Sequence, residues 1–131
     1  MMIAEEIKTP LRARRVLVVE DNKLIGTLYI ELLEEMGHSV CAIVATETEA
    51  VAAASIHKPD LMIVDAALAE GSGVSAVKRI LRAGFVPHVF ISGNATSVRQ
   101  DRSDAIVMQK PFWGPDLECA IQRALTAASK A

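Results

Sequence analysis

Glu20–Asp21, Asp65, Ser92 and Lys110 each stand at the end of a short apolar run: VLVV before the acid pair, LMIV before Asp65, VPHVFI before Ser92 and DAIVMQ before Lys110. Short aliphatic runs of this kind read as buried strands. In an open parallel sheet the carboxyl ends of the strands share one edge, and ligands bind there. Three carboxylates, one hydroxyl and one ammonium are therefore expected to meet. Carboxylates brought together repel, and at least one pKa rises unless a cation intervenes. The donors are hard oxygens, with no nearby thiol and no suitably spaced imidazole, which favours Mg²⁺ over zinc. Such an ion keeps positions open for a phosphoryl oxygen. Lys110 would neutralise a second oxygen and Ser92 would hydrogen-bond a third. Phosphoryl transfer asks little more of a protein than positioning and charge neutralisation. Asp65 is then either a metal ligand only or the nucleophile that becomes an aspartyl phosphate.

Singly, each residue has a plainer role. Asp21 could cap a helix, Asp65 could cap a turn, and Lys110 could be a surface residue before a proline. The segment GSG (71–73) fits a turn before a helix better than a phosphate cradle, and His38, His57 and His88 are scattered. Their joint placement at four strand ends is what points to phosphoryl chemistry.

The elements that must position these residues follow from periodicity. Strands are expected at 16–19, 39–45, 60–65, 86–92 and 104–109. From Asn22 to Met36, Ile25, Leu28, Leu32 and Met36 mark the core face of a helix that Gly37 ends. Residues 46–58 read as an Ala-rich helix with Thr46 as N-cap, Glu49 completing a capping box, and Pro59 forbidding continuation. Helices are expected over 73–83, with Gly84 closing, and 115–128, with Leu117, Ile121 and Leu125 on one face. Between them, 93–103 offers Val98 as its only large apolar residue. A helix there has little to bury and should be short, partly irregular and mobile. Alternating doubly apolar strands and amphipathic helices predict a parallel sheet covered on both faces by right-handed crossovers.

The 131 residues suit one domain with a real core. A net charge of −2 gives no reason to expect nucleic acid or an anionic membrane as partner. The cluster Arg12, Arg14 and Arg15 reads as a solvated flank. Cys41 and Cys119 match no zinc or redox spacing and read as free thiols. The first residues lack a signal peptide's basic start and apolar stretch, and no segment is long enough to span a bilayer. A cytoplasmic location is expected.

VLVVEDN, LMIVDAALAEGSG, VPHVFIS and KPF (110–112) together resemble the receiver domain of bacterial two-component response regulators, from Arg15 to Ala128. The resemblance implies a flavodoxin-like doubly wound five-stranded sheet of order 2-1-3-4-5 over 15–131, after an N-terminal arm at 1–14. It also implies roles. Asp65 accepts a phosphoryl group from a histidine kinase or histidine phosphotransfer protein. Glu20, Asp21, Asp65 and the backbone carbonyl of Ala67 hold Mg²⁺. Lys110, usually followed by a cis proline, pairs with the phosphoryl, and Ser92 engages it to trigger a switch. The expected protein is a stand-alone regulator acting through a downstream protein target or homodimer, or as a phosphate sink, and is no enzyme beyond its own phosphorylation and dephosphorylation. The alternative is a pseudo-receiver, a binding module that is never phosphorylated.

Departures from the family pattern carry expectations too. The family's switch aromatic lies three residues before the lysine, where this chain has Val107, so an aromatic rotation is not the readout. Ala69 stands where proline is usual, so the loop after Asp65 should be more mobile. Phe112 and Trp113 are expected in a different contact surface. Ala67 and Asn94 occupy the variable positions that tune phosphoryl lifetime. A phosphatase would need a second acid two residues after the nucleophile, where Ala67 stands. A flavin site would need a phosphate-cradling loop after the first strand.

Overall fold

The computed structural model describes residues 13–130. The expected N-terminal arm, where the spacing of Ile3 and Ile7 would suit one helical turn, lies almost wholly outside the described residues. Five strands, β1 (Arg15–Val19), β2 (Ser39–Val44), β3 (Leu61–Asp65), β4 (His88–Ser92) and β5 (Val107–Gln109), alternate with five helices. The helices are α1 (Lys23–Glu35), α2 (Glu47–His57), α3 (Gly73–Leu81), α4 (Ala95–Asp101) and α5 (Gly114–Lys130). All strand pairs are parallel, in the order β2-β1-β3-β4-β5. This is the flavodoxin-like doubly wound arrangement. It reverses direction between β1 and β3, where a crevice for ligands forms.

The central strands are apolar on both faces because both faces are covered. Leu17, Val19, Met62, Val64 and Phe90 pack toward α2, α3 and α4. Val16, Val18, Leu61, Ile63 and Ile91 pack toward α1 and α5. Full burial of each such side chain contributes roughly 1.5–3 kcal/mol, so the sheet is the rigid part of the molecule.

Two sequence expectations need correction. Leu28 does not face the core: it is 51% exposed, and Tyr29 and Leu33 are buried in its place. Stripes through 25, 28, 32 and 36 and through 25, 29, 33 and 36 both keep helical spacing. The sheet selects the second, which also brings the Tyr29 ring within 5.9 Å of Phe112. Segment α4 is short, as expected, but helical through all seven residues and burying Ala95 and Val98. Asn94 caps it, accepting from the Ser97 amide at 3.1 Å, and so offsets part of the missing apolar face.

Two histidines set an acid limit on stability. Burial lowers the pKa of both His38 and His88 from the ordinary 6.5. Arg14 adds to this at His38 while Glu118 opposes it, and at His88 the Val86 carbonyl and Asp104 oppose burial while Arg102 adds to it. His38 Nδ1 accepts the Arg14 amide at 3.0 Å, a bond that a protonated ring loses. At these two rings the unfolded chain thus binds more protons below the ordinary value, and their contribution to stability falls as pH drops. Glu20, whose carboxyl is pushed up to about 7, acts in the opposite sense over the same window, so the histidine part is read by difference. On going from about pH 7.5 to 5.5, urea unfolding should show wild type faring less well than the double variant His38→Gln, His88→Gln. The same change in both proteins would refute the assignment.

Candidate functional site

Register assembles the site. Val19 pairs with Val64, which brings Glu20 level with Asp65. Asp65 pairs with Ile91 and Ser92 with Gln109, so Lys110 begins one residue beyond the sheet. The Lys110 amide donates to the Ser92 carbonyl at 2.8 Å, and the Lys110–Pro111 bond is cis.

Asp65 is buried yet fully partnered. Its Oδ2 accepts from Lys110 Nζ at 2.8 Å and its Oδ1 from the Ala67 amide at 3.0 Å. Glu20, also buried, accepts the Asn22 amide through Oε2 at 3.0 Å. Its Oε1 has no partner. Burial pushes the Glu20 carboxyl up to about 7; the Asn22 amide opposes this, Asp65 adds to it, and Lys110 relieves it. Ser92 is buried, its Oγ accepting the Asn94 amide at 2.9 Å.

Asp21 is not gathered in the same way. Its Oδ2 accepts the Ala69 amide at 2.6 Å, and the N-cap of α1 is Asn22 rather than Asp21. Among the described residues no three acids, histidines or cysteines close into a metal-binding cluster. A divalent ion nevertheless fits beside Glu20 and Asp65. A buried, unpartnered carboxylate oxygen next to a second carboxylate leaves the pair short of positive charge, and Mg²⁺ is held by few protein oxygens.

The loop after Asp65 is tied down by residues that local sequence does not link to it. Glu47, the first residue of α2, accepts the Ser72 amide at 3.0 Å through Oε1. Its Oε2 takes the Ser75 hydroxyl at 2.7 Å and Arg79 at 3.1 Å. Gly71 adopts φ +83, and a Cβ there would lie 2.5 Å from Glu47. With Asp21 on Ala69, two carboxylates from two distant segments restrain the loop in which Ala69 stands. In sequence, Glu47 reads only as an acid suited to a helix N-terminus. GSG (71–73) is a turn, as expected, with Ser72 capping α3.

A buried carboxylate nucleophile candidate, an ammonium, a hydroxyl and an acid pair at the carboxyl edge of a 2-1-3-4-5 sheet define a receiver-type domain. The family model of the response regulator receiver domain matches residues 16–113, and the chain belongs to that family. Its relatives include the phyllosphere-induced regulator PhyR of Methylorubrum extorquens, 36% identical over 86% of this chain and 44% of that protein. The transcriptional regulatory protein PdtaR of Mycobacterium tuberculosis is 32% identical over 86% of this chain and 57% of that protein. The chain thus spans about half the length of these relatives. Among solved structures, the PhyR receiver domain of Erythrobacter litoralis superposes with a TM-score of 0.80 at 32% identity, covering 87% of this chain and 91% of that one. PhyR of Brucella abortus gives 0.82 at 30% identity, over 90% of this chain and 50% of that one. The domain is a two-component signalling module rather than a member of a catalytic enzyme family. No helix among the described residues is long and apolar enough to cross a membrane.

Proposed function

We propose that Asp65 accepts a phosphoryl group from a histidine kinase or histidine phosphotransfer protein in a Mg²⁺-dependent reaction, and that the modified domain signals by protein–protein contact. The observation that carries this is the buried Asp65 carboxylate held between Lys110 and the Ala67 amide, beside the unpartnered oxygen of Glu20. An Asp65 oxygen attacks phosphorus; the bond to the donor's nitrogen breaks, and that nitrogen takes up a proton from solvent. Lys110 moves from the free carboxylate to the transferred oxygens. Ser92 turns its hydroxyl to donate to one of them. Glu20, Asp21, Asp65 and the Ala67 carbonyl are the residues that would hold Mg²⁺, which when bound supplies positive charge against the phosphoryl oxygens.

PhyR of Bartonella quintana, of which this chain covers 51%, is an anti-anti-sigma factor. That supports a protein-contact output here. Intact mass after incubation with acetyl phosphate should show one added phosphoryl group with Mg²⁺, and none with EDTA or in Asp65→Asn. No gain in the Mg²⁺ sample, with phosphotransfer from a kinase also failing, would leave a pseudo-receiver that binds partners unmodified.

The donor protein needs a surface beside the site. Leu24 follows the acid pair and is 80% exposed, Leu28 lies one turn on, and Trp113, three residues past Lys110, is 80% exposed. The Tyr29–Phe112 contact holds these two segments together. Tryptophan is among the side chains that dominate docking energy, and the exposed leucines extend the apolar area around it. The variant Leu24→Ser, Trp113→Ser is expected to slow phosphotransfer from a histidine kinase about tenfold and to leave labelling by acetyl phosphate intact. Equal losses with both donors would place the two residues in the chemistry instead.

A further inference from the structure

Val107, where the family carries an aromatic, is buried at 5% exposure and has no ring to rotate. A different side chain on β5 already grips the segment that leads from Ser92 into α4. Gln109 Oε1 accepts the Ala95 amide at 2.9 Å, while Nε2 donates to the Gly93 carbonyl at 2.7 Å and the Lys110 carbonyl at 3.2 Å. Ser92 Oγ holds the Asn94 amide between these points, and the Lys110 amide holds the Ser92 carbonyl. The exposed Gln109 amide thus ties together Gly93, Ala95 and Lys110, while Ser92 itself bonds Asn94 and Lys110. A second tie runs from Arg99 Nη2 to the Val107 carbonyl at 3.2 Å, one turn further along α4.

We propose that Gln109 is the positioning residue that couples the state of Ser92 and Lys110 to α4, in place of an aromatic switch. This rests on the phosphoacceptor reading above. A hydroxyl drawn toward a phosphoryl group on Asp65 carries Gly93 and Asn94 with it. Because Gln109 bonds Gly93 and Ala95 together, the first turn of α4 follows rather than fraying. Space for the movement exists. A cavity of about 410 Å³ lies between the loop after Asp65 and α4, lined by Ala67, Ser72, Ser92, Asn94, Val98 and Asp101. The helix has few apolar contacts of its own to resist displacement: Ala95 and Val98 are its buried residues. A side chain exposed to water contributes little to global stability, so this amide can be changed without unfolding the domain.

Hydrogen exchange resolved by residue, with and without acetyl phosphate and Mg²⁺, tests the coupling. Gln109→Met removes all three bonds at similar length, and Gln109→Glu keeps only acceptance from Ala95. In the unmodified protein, Gln109→Met is expected to speed exchange at Ala95–Val98 about tenfold and to leave β1 and β3 unchanged, with Gln109→Glu intermediate. Phosphoryl incorporation by mass should stay within about twofold of wild type. The change in α4 protection that phosphorylation produces in wild type should be lost in Gln109→Met. A merely structural role would leave that change in place. Normal incorporation with an undiminished α4 response in Gln109→Met would overturn the coupling alone. No incorporation in wild type, from acetyl phosphate or from a histidine kinase, would overturn the phosphoacceptor reading and the coupling with it, even where basal exchange at Ala95 still reports the clamp.

Discussion

Lys110→Ala is expected to take up phosphoryl groups from acetyl phosphate about a hundredfold more slowly than wild type, the usual cost of removing one group that stabilises developing charge. The ammonium sits 2.8 Å from Asp65 Oδ2, against a carboxylate with only 6% of its side chain exposed. Little water reaches that carboxylate to replace the lost charge. The lysine itself is 35% exposed, so solvent screens part of the pair, yet its removal leaves the buried Asp65 carboxylate beside Glu20 without a cation and lowers stability. Rate and stability should still separate: melting comes at a lower temperature, in a protein that remains folded where the kinetic defect is read. Lys110→Arg should fall between, since its charge is kept but spread over a planar fork. A Lys110→Ala protein labelled at the wild-type rate would remove the ammonium from the chemistry. A protein unfolded at room temperature would show that the ion pair is structural.

Gly73→Ala is expected to destabilise the domain by about 3 kcal/mol, at the upper end for overpacking, and to impair phosphorylation as well. A Cβ at this position would collide with the Asp65 carbonyl oxygen and stand 2.8 Å from Val64 Cγ1. The first clash is with backbone, so no rotamer change relieves it. Gly73 also donates its amide to the Ala66 carbonyl at 2.9 Å, which locks the start of α3 onto the end of β3. Either α3 retreats or Asp65 moves, and a misplacement of about 1 Å in a reacting group can cost a hundredfold in rate. Gly93→Ala is the matched control, because a Cβ there meets nothing within 4 Å. Urea midpoints for the two variants decide the matter. Equal midpoints would mean that the close approach of α3 to β3 is not required.

The order of strands and helices was legible because a sheet buried on both faces demands continuous apolar runs, and its helices demand a three-to-four spacing. The candidate site was legible for the same reason. Asp65 and Ser92 end their strands and Lys110 directly follows its own, and strand ends share an edge whatever the details of packing. Periodicity could not choose between Leu28 and Tyr29, since both stripes satisfy it and the choice belongs to the sheet that α1 meets. Nor could it show that Asp21 is drawn onto the Ala69 amide, that Glu47 holds Ser72 from 25 residues away, or that Gln109 grips Gly93 and Ala95 from the next strand. Hydrogen bonds between distant segments leave no pattern along the chain, because each depends on where the register brings two polar groups. By itself the sequence determined which residues stand at the strand ends that form the candidate site. Tertiary structure decided which of them face one another, which loops are held still around them, and through which side chain the edge is tied to α4.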